Sequence, residues 1–301
     1  MDPSTEAAQA QAGDRLSPLV VVARNTAAEE QGSIHDDKQA RSVGYKGGLV
    51  PGPTGLAYIT RRLVDFFGPA WVEGGRIALR FSRPAYDGER VTVHATVRER
   101  QEREGAAELS LDCWLENPEG KRCVEGSASC TVGEAPPPQP TPWPQVSAVR
   151  ARREERSDAL PPMRYEDIVV GEELRPLSFR ISSEEAALWA AGADDHSPWY
   201  VQASPFGGAI VHPARFSVDP IRLIRHNYQP RGMPGIFAAC DLAYRAPGFV
   251  DRGYTVSGYV VDKYERKGNQ YIVVDSMTAD EDGREIVRSR YTSLVRLRSE
   301  G

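Results

Sequence analysis

Hydrophobic and polar positions alternate along several stretches of the chain, and this alternation predicts β-strands. It is clearest over residues 271–275 and 288–295, where a period of two places successive side chains on opposite faces of a sheet. Turn sequences such as Asp282-Gly283 separate these stretches. The pattern predicts eight strands, at residues 76–83, 90–100, 106–116, 122–132, 238–245, 254–265, 270–279 and 284–297.

Apolar residues at helical spacing predict one longer helix ahead of each group of four strands. Before the first group, Leu56, Ile59 and Leu63 recur on one face and predict a helix over residues 54–67. Before the second group, the spacing predicts a helix over residues 214–228, which Pro220 kinks or delays. Shorter polar helices are predicted upstream, at residues 36–43 and near residues 200–204.

The same order of elements occurs twice, and part of the sequence repeats with it. One constant separation superimposes the following pairs: Pro84 and Pro247, Gly105 and Gly268, Asp112 and Asp275, Gly120 and Gly283. A repeat of this length indicates a duplicated domain, because solenoid repeats have periods of about 20–50 residues. A helix followed by an antiparallel sheet, present twice, predicts an α+β architecture in which each sheet wraps its helix.

A proline-rich segment separates the two copies. Proline favours extended backbone and excludes both helix and sheet interiors. The sequence therefore predicts a linker over residues 134–163, between an N-terminal domain at 16–133 and a C-terminal domain at 164–301. The polar segment 1–15 has little hydrophobic content and predicts a disordered tail.

Composition excludes several classes of protein. The formal net charge of −5 over 301 residues argues against a nucleic-acid partner or an anionic membrane surface. The polar N-terminus does not resemble a signal peptide, and no apolar run approaches the about 18 residues of a membrane span. The cysteines have no metal-ligand spacing, which predicts structural thiols in a reducing cytoplasm and no metal site. They are Cys113, Cys123, Cys130 and Cys240.

Three short motifs carry a family resemblance. They are Ser33-Ile34-His35-Asp36-Asp37, the turn Gly47-Gly48-Leu49-Val50-Pro51-Gly52, and Arg80-Phe81 followed by Pro84 and Gly88. Together with the order of elements, they resemble the MaoC-like family of acyl-thioester hydratases and dehydratases. The resemblance implies a tandem (double) hotdog fold, in which each antiparallel sheet wraps a central helix. It also implies an acyl-CoA or acyl-carrier-protein thioester as partner, no cofactor, and a homodimer as one possible assembly.

Hydration in that family uses an Asp and a His spaced as Asp-x-Asn-Pro-x-His, which hold a water and move protons at the acyl α and β carbons. A paired carboxylate and imidazole can serve as general acid and base. A backbone N–H at the start of the central helix polarises the thioester carbonyl, because unpaired N–H groups and positive potential meet there.

In the first copy, the resemblance implies two catalytic residues and two substrate-binding residues. His35 falls on the family's His, and Glu30 stands in place of its Asp. Gly52 follows Pro51 at the helix start, so its N–H is available to the thioester oxygen. Val50 belongs to the same turn and is expected to contact the substrate.

The second copy has a different set of residues at these positions. Asp195 falls on the catalytic Asp, although the adjacent Asp194 could take the same position. Tyr200 replaces the His, and with an ordinary pKa near 10 it is expected to line the acyl pocket. His212 is a further pocket-lining candidate, and Pro213 at the helix start has no N–H to donate. Asp195 is thus the third catalytic candidate.

Neither copy contains the whole proton-transfer set, so three functions stay open. The leading hypothesis is an (R)-specific enoyl hydratase or 3-hydroxyacyl dehydratase that uses His35, Glu30 and Gly52. A second is an acyl-CoA thioesterase in which Asp195 or Glu30 activates water. A third is that both copies have decayed catalytically and the protein binds acyl thioesters or a partner hotdog subunit, with His35 as a helix-capping surface residue and Glu30 as a solvated loop charge.

Overall fold

The computed structural model describes residues 3–103, 105–134, 160–229 and 235–296. The helices are α1 (Pro3–Gln9), α2 (Asp37–Ser42), α3 (Gly52–Phe67), α4 (Pro69–Gly74), α5 (Ser183–Gly192) and α6 (Asp219–Asn227). The strands are β1 (Leu19–Val22), β2 (Arg76–Phe81), β3 (Arg90–Arg103), β4 (Ala106–Glu116), β5 (Arg122–Gly133), β6 (Glu173–Ile181), β7 (Ile236–Tyr244), β8 (Arg252–Arg266), β9 (Asn269–Asp280) and β10 (Glu285–Arg296).

The strands form one antiparallel sheet that runs through both copies. Its order is β1-β3-β4-β5-β2-β7-β10-β9-β8-β6. The two halves meet where β2 pairs with β7, in a register that places Ile77 opposite Leu242. Each half therefore keeps its own curved sheet and helix, while the main-chain hydrogen bonds of β2 and β7 join the halves at the centre.

The central helix of the first copy, α3, is enclosed almost completely. Leu56, Ile59 and Leu63, whose spacing predicts the helix, are fully buried. Burial of a large aliphatic side chain stabilises the fold by about 1.5–3 kcal/mol, so this face anchors the N-terminal core. The helix begins at Gly52 and ends before Gly68, which has a positive φ of 59°.

The corresponding helix of the second copy is divided in two. A 3₁₀ helix at Pro213–Val218 precedes α6, where the sequence predicts a single helix with a kink or a delayed start. Pro220 lies in the first turn of α6, where its missing N–H leaves no hydrogen bond unmade. Asp219 at the junction is fully buried, and its carboxylate accepts hydrogen bonds from Arg215 and Thr278, each at 2.8 Å.

The N-terminal segment differs from the predicted disordered tail. Helix α1 packs against α3, and Ala7 is fully buried in the contact. The segment is rich in Ala, which has the highest helix propensity and a side chain small enough for close helix packing. A long ion pair of 3.7 Å between Glu6 and Arg62 accompanies this contact.

The predicted strands are present, and two further strands close the edges of the sheet. β1 pairs with β3, and β6 pairs with β8. Of the predicted linker, residues 135–159 lie outside the described residues. At its end Met163 is buried and donates its N–H to the Gln229 carbonyl at 2.8 Å. Among the described helices, none is long and apolar enough to cross a bilayer.

Candidate active site

A cavity of about 520 Å³ lies between the two halves, at the start of α3. The first copy contributes the loop that carries Glu30 and His35, the turn from Leu49 to Gly52, and the end of β2. The second copy contributes one face of α6 and the start of β7. Four of the predicted site residues, Glu30, His35, Val50 and Gly52, thus line one cavity.

The backbone of His35 is held by Asn25 and by residues of the motifs around it. Its carbonyl accepts a hydrogen bond of 2.8 Å from Asn25 Nδ2, and its N–H donates to Ser33 Oγ at 3.1 Å. Gly48 allows this loop to come close, because a Cβ at that position would lie 2.1 Å from the His35 carbonyl oxygen. Asp37 completes the motif by accepting the Gly48 N–H at 2.7 Å.

The His35 ring has a defined tautomer. Nδ1 lies 2.7 Å from the Leu49 carbonyl, which can only accept, so Nδ1 carries the hydrogen. In the neutral ring Nε2 is therefore unprotonated and can accept a proton. Burial lowers the pKa of His35; the Leu49 carbonyl and the charge of Glu30 oppose this, and the charge of Arg225 adds to it. The lowered pKa keeps the imidazole neutral at neutral pH.

The first turn of α3 offers one backbone donor to the cavity. Pro51 and Pro53 have no N–H. The Thr54 N–H is used by the Pro51 carbonyl at 3.0 Å. The Gly52 N–H has no acceptor among the described residues, so it is free to hold an oxyanion. Glycine is required there, because a Cβ would lie 2.6 Å from the Cβ of Phe237.

Glu30 lies at the cavity but does not hydrogen-bond to His35. Its side chain is 48% exposed, and Oε2 lies 3.6 Å from Nη2 of Arg225 on α6. The negative charge of Glu30 still acts on the imidazole and raises its pKa. Glu30 therefore influences His35 through space and is available to orient a water molecule.

The other three predicted site residues form a separate buried cluster in the second copy. Asp195, Tyr200 and His212 are 6%, 1% and 0% exposed, and none of them lines the cavity. The Tyr200 and His212 rings pack with centroids 4.9 Å apart. Tyr200 and His212 are expected from the sequence to line the acyl pocket, but they do not line the cavity at the start of α3. Asp195 is likewise not brought together with His35.

The charge of Asp195 is balanced inside this cluster. His212 Nδ1 accepts the Ala214 N–H at 3.2 Å, so Nε2 carries the hydrogen and faces Asp195 Oδ2 at 3.4 Å. Ser197 donates its N–H to the same carboxylate at 3.0 Å. Burial opposes ionisation of Asp195, but His212 and Ser197 outweigh it and lower the pKa. With Pro213 lacking an N–H and Ala214 using its own, this helix start has no donor for a substrate.

The arginines of the cavity lie outside the site residues predicted from the sequence. Val218, Ile221, Arg222 and Arg225 line its wall from the second copy. They follow the spacing i, i+3, i+4, i+7 that marks one helix face, and this was the available signal. No group of three or more His, Cys, Asp or Glu side chains within the described ranges is arranged to hold a metal ion.

Solved structures with the same fold cover nearly the whole chain. A protein named as a MaoC domain dehydratase from Chloroflexus aurantiacus superposes with a TM-score of 0.71 at 14% identity, covering 99% of each chain. Rv0216 from Mycobacterium tuberculosis, described as a double hotdog, gives 0.63 at 13% identity, covering 96% of this chain and 98% of that one. A protein named as an oleoyl thioesterase from Lactobacillus plantarum gives 0.51 at 8% identity, covering 97% and 99%.

These similarities confirm the predicted α+β double-hotdog fold, and the fold is that of MaoC-like dehydratases with thioesterase-like structures among its neighbours. No protein-family model and no curated protein matches the sequence. At these identities the likeness concerns the fold.

Proposed function

We propose that the protein is an (R)-specific enoyl-thioester hydratase, or acts in reverse as a 3-hydroxyacyl-thioester dehydratase, with its one reaction centre in the first copy. The observation that carries this proposal is the pairing of an unprotonated His35 Nε2 with a free Gly52 N–H in one cavity. The substrate would be the thioester of CoA or of an acyl carrier protein.

The proposed reaction places the thioester oxygen at the Gly52 N–H. His35 Nε2 takes a proton from a water molecule as the water oxygen bonds to the β carbon. The electron pair of the C=C bond moves through the α carbon to the thioester oxygen, where the helix N-terminus stabilises the negative charge. The proton on His35 then returns to the α carbon. Glu30 orients the water and supports the imidazolium through its charge.

The experiment is hydration of crotonyl-CoA and longer enoyl-CoAs, followed by loss of enone absorbance. Turnover that depends on His35 and yields the (R)-3-hydroxyacyl product is the expected result. Absence of turnover over the whole chain-length series, with a folded protein, would refute the proposal.

Thioester hydrolysis is the second candidate. The half-exposed Glu30 carboxylate, which lines the same cavity as the N-terminus of α3, favours it, since a single carboxylate can activate water for attack on the carbonyl. Release of free thiol from a panel of acyl-CoAs separates hydrolysis from hydration, because hydration leaves the thioester intact. Binding of acyl-CoA without either reaction would support a catalytically decayed binding protein.

A further inference from the structure

The cavity carries an excess of positive charge. The described residues that line it include three arginines, Arg83, Arg222 and Arg225, and a single carboxylate, that of Glu30. The whole chain has a formal net charge of −5, so this local balance is opposite in sign to that of the protein. A concave surface lined by one sign of charge concentrates its field and attracts a ligand group of the other sign.

Two of these arginines come from a single face of α6. Val218, Ile221, Arg222 and Arg225 follow helical spacing, so the second copy presents two apolar side chains and two guanidinium groups to the site of the first. A wall with this composition matches an acyl chain that is apolar along its length and anionic at one end.

The guanidinium of Arg222 is held against an aromatic ring. Its Cζ lies 4.2 Å from the centroid of the Phe179 ring, and it makes no ion pair with any described residue. Stacking on an aromatic face uses the flat side of a guanidinium and leaves its in-plane N–H donors available for a carboxylate. Burial and the neighbouring charge of Arg215 lower the pKa of Arg222, while the charges of Asp219 and Glu185 oppose this.

Arg225 lies close to the proposed reaction centre. Its Nη2 is 3.6 Å from Oε2 of Glu30, and its charge lowers the pKa of His35. Interactions between solvated charges are screened beyond about 10 Å at ordinary ionic strength, so an anion held here would be near the reacting carbons.

We propose that Arg222 and Arg225 form a subsite for a carboxylate carried by the acyl group, so that the preferred ligands are thioesters of dicarboxylic acids. This inference rests on the proposed function for the orientation of the acyl chain. The phosphates of the carrier are the competing source of negative charge. The long pantetheine arm separates them from the thioester, whereas Arg225 is near His35.

The test measures binding by calorimetry with succinyl-CoA and butyryl-CoA, which differ in a terminal carboxylate and have no double bond to hydrate. The same two acyl groups are measured on pantetheine, which has no phosphate. We expect the wild type to bind the succinyl ester about tenfold more tightly on either carrier, the size expected of a charge-assisted hydrogen bond. Arg222→Gln and Arg225→Gln should each remove most of this preference.

Two further variants keep the result interpretable. Arg98→Gln removes an arginine of the exposed Arg98–Asp112 pair outside the cavity and should leave the preference unchanged. Arg222→Lys keeps the charge without the planar fork and should retain part of it, and a thermal unfolding curve shows that each variant is folded.

Equal affinity for the two acyl groups, or no binding of either ester, would overturn the proposal. So would arginine variants that weaken both CoA esters equally while leaving pantetheine esters unaffected, because that result assigns the arginines to carrier phosphates. A succinyl preference found without any hydration of enoyl esters would refute the hydratase and leave the subsite standing. Hydration of enoyl esters without the succinyl preference would support the hydratase and refute the subsite.

Discussion

The starts of the two central helices occupy equivalent places in the two halves and have opposite properties. In the first copy the Leu49 N–H donates to the Ile34 carbonyl, and in the second the Ile210 N–H donates to the Trp199 carbonyl. These matching hydrogen bonds place His35 and Tyr200 at equivalent positions, as the family motif implies. His35 lines a cavity with its unprotonated Nε2, whereas Tyr200 is fully buried.

Three exchanges account for the difference. A tyrosine replaces the histidine, His212 replaces Pro51, and Pro213 replaces Gly52. In the first copy the N–H of Gly52 is free. In the second copy Pro213 has no N–H, and His212 Nδ1 accepts the N–H of the next residue, Ala214. The same scaffold thus forms an open site with a donor or a closed, self-satisfied cluster, depending on the side chains at the helix start.

The largest effect that would separate the two halves is expected from His35→Ala. Loss of the proton acceptor should lower kcat/KM for enoyl-CoA hydration by about 10²–10⁴-fold, the usual contribution of a general base. The matched change in the second copy, Tyr200→Phe, should leave kcat/KM within about twofold, since Tyr200 is buried outside the cavity. A greater loss in Tyr200→Phe than in His35→Ala would reverse the assignment of the active half.

The second prediction concerns stability in the closed half. His212→Ala leaves the Asp195 carboxylate buried without its imidazole partner, and should lower the free energy of unfolding by about 3–5 kcal/mol. Urea denaturation checks this. Hydration by the folded fraction should be unchanged, so a protein of wild-type stability with no activity would contradict the structural role.

The third prediction uses two glycines in corresponding turns. Gly52→Ala would bring a Cβ to 2.6 Å from Phe237 Cβ, and overpacking of this kind destabilises by about 1–3 kcal/mol. It should also lower kcat/KM, because the helix start that carries the oxyanion donor must shift. Gly208→Ala, where a Cβ would meet Phe249 at an ordinary 3.5 Å, is the control for both measurements. Equal losses in the two variants would show that space at Gly52 is not critical.

The smallest expected effect is a shift in the pH profile. His35 acts as a base when neutral, so kcat/KM should rise with pH through a pKa lowered from 6.5 and then level off. Arg225→Gln removes a charge that lowers the pKa of His35 and should move the rise to higher pH. Glu30→Gln removes a charge that raises it and should move the rise to lower pH. Shifts of the same sign in both variants would contradict the proposed surroundings of His35.

Much of the fold was predictable because its signals are local and strong. The period of two along β3–β5 and β7–β10, and the buried face of α3 with Leu56 and Ile59, are legible without tertiary information. The edge strands β1 and β6 were missed, because the exposed Val20 and Val22 of β1 and the half-buried face of β6 give only a weak alternation. The split before α6 follows from Pro220, whose effect on a helix depends on its position within the first turn.

The site was predictable only in part. His35 and Gly52 come from contiguous motifs, and both line one cavity. The pairing of Asp195 with His212, which are separated by a 3₁₀ helix at Pro198–Tyr200, depends on packing around Trp189 and Tyr200. The sequence also does not show that the arginines of α6 line the cavity of the first copy, because that contact is made between domains.

The pairing of β2 with β7 within one chain affects how the two halves can evolve. In a dimer of identical hotdog chains, every substitution occurs twice, and a residue that closes one site closes both. Here the halves are joined in one chain, so each position mutates independently of its counterpart. A tyrosine at position 200 in the second half therefore leaves His35 of the first half in place, and the second half can instead contribute α6 to the wall of the neighbouring cavity.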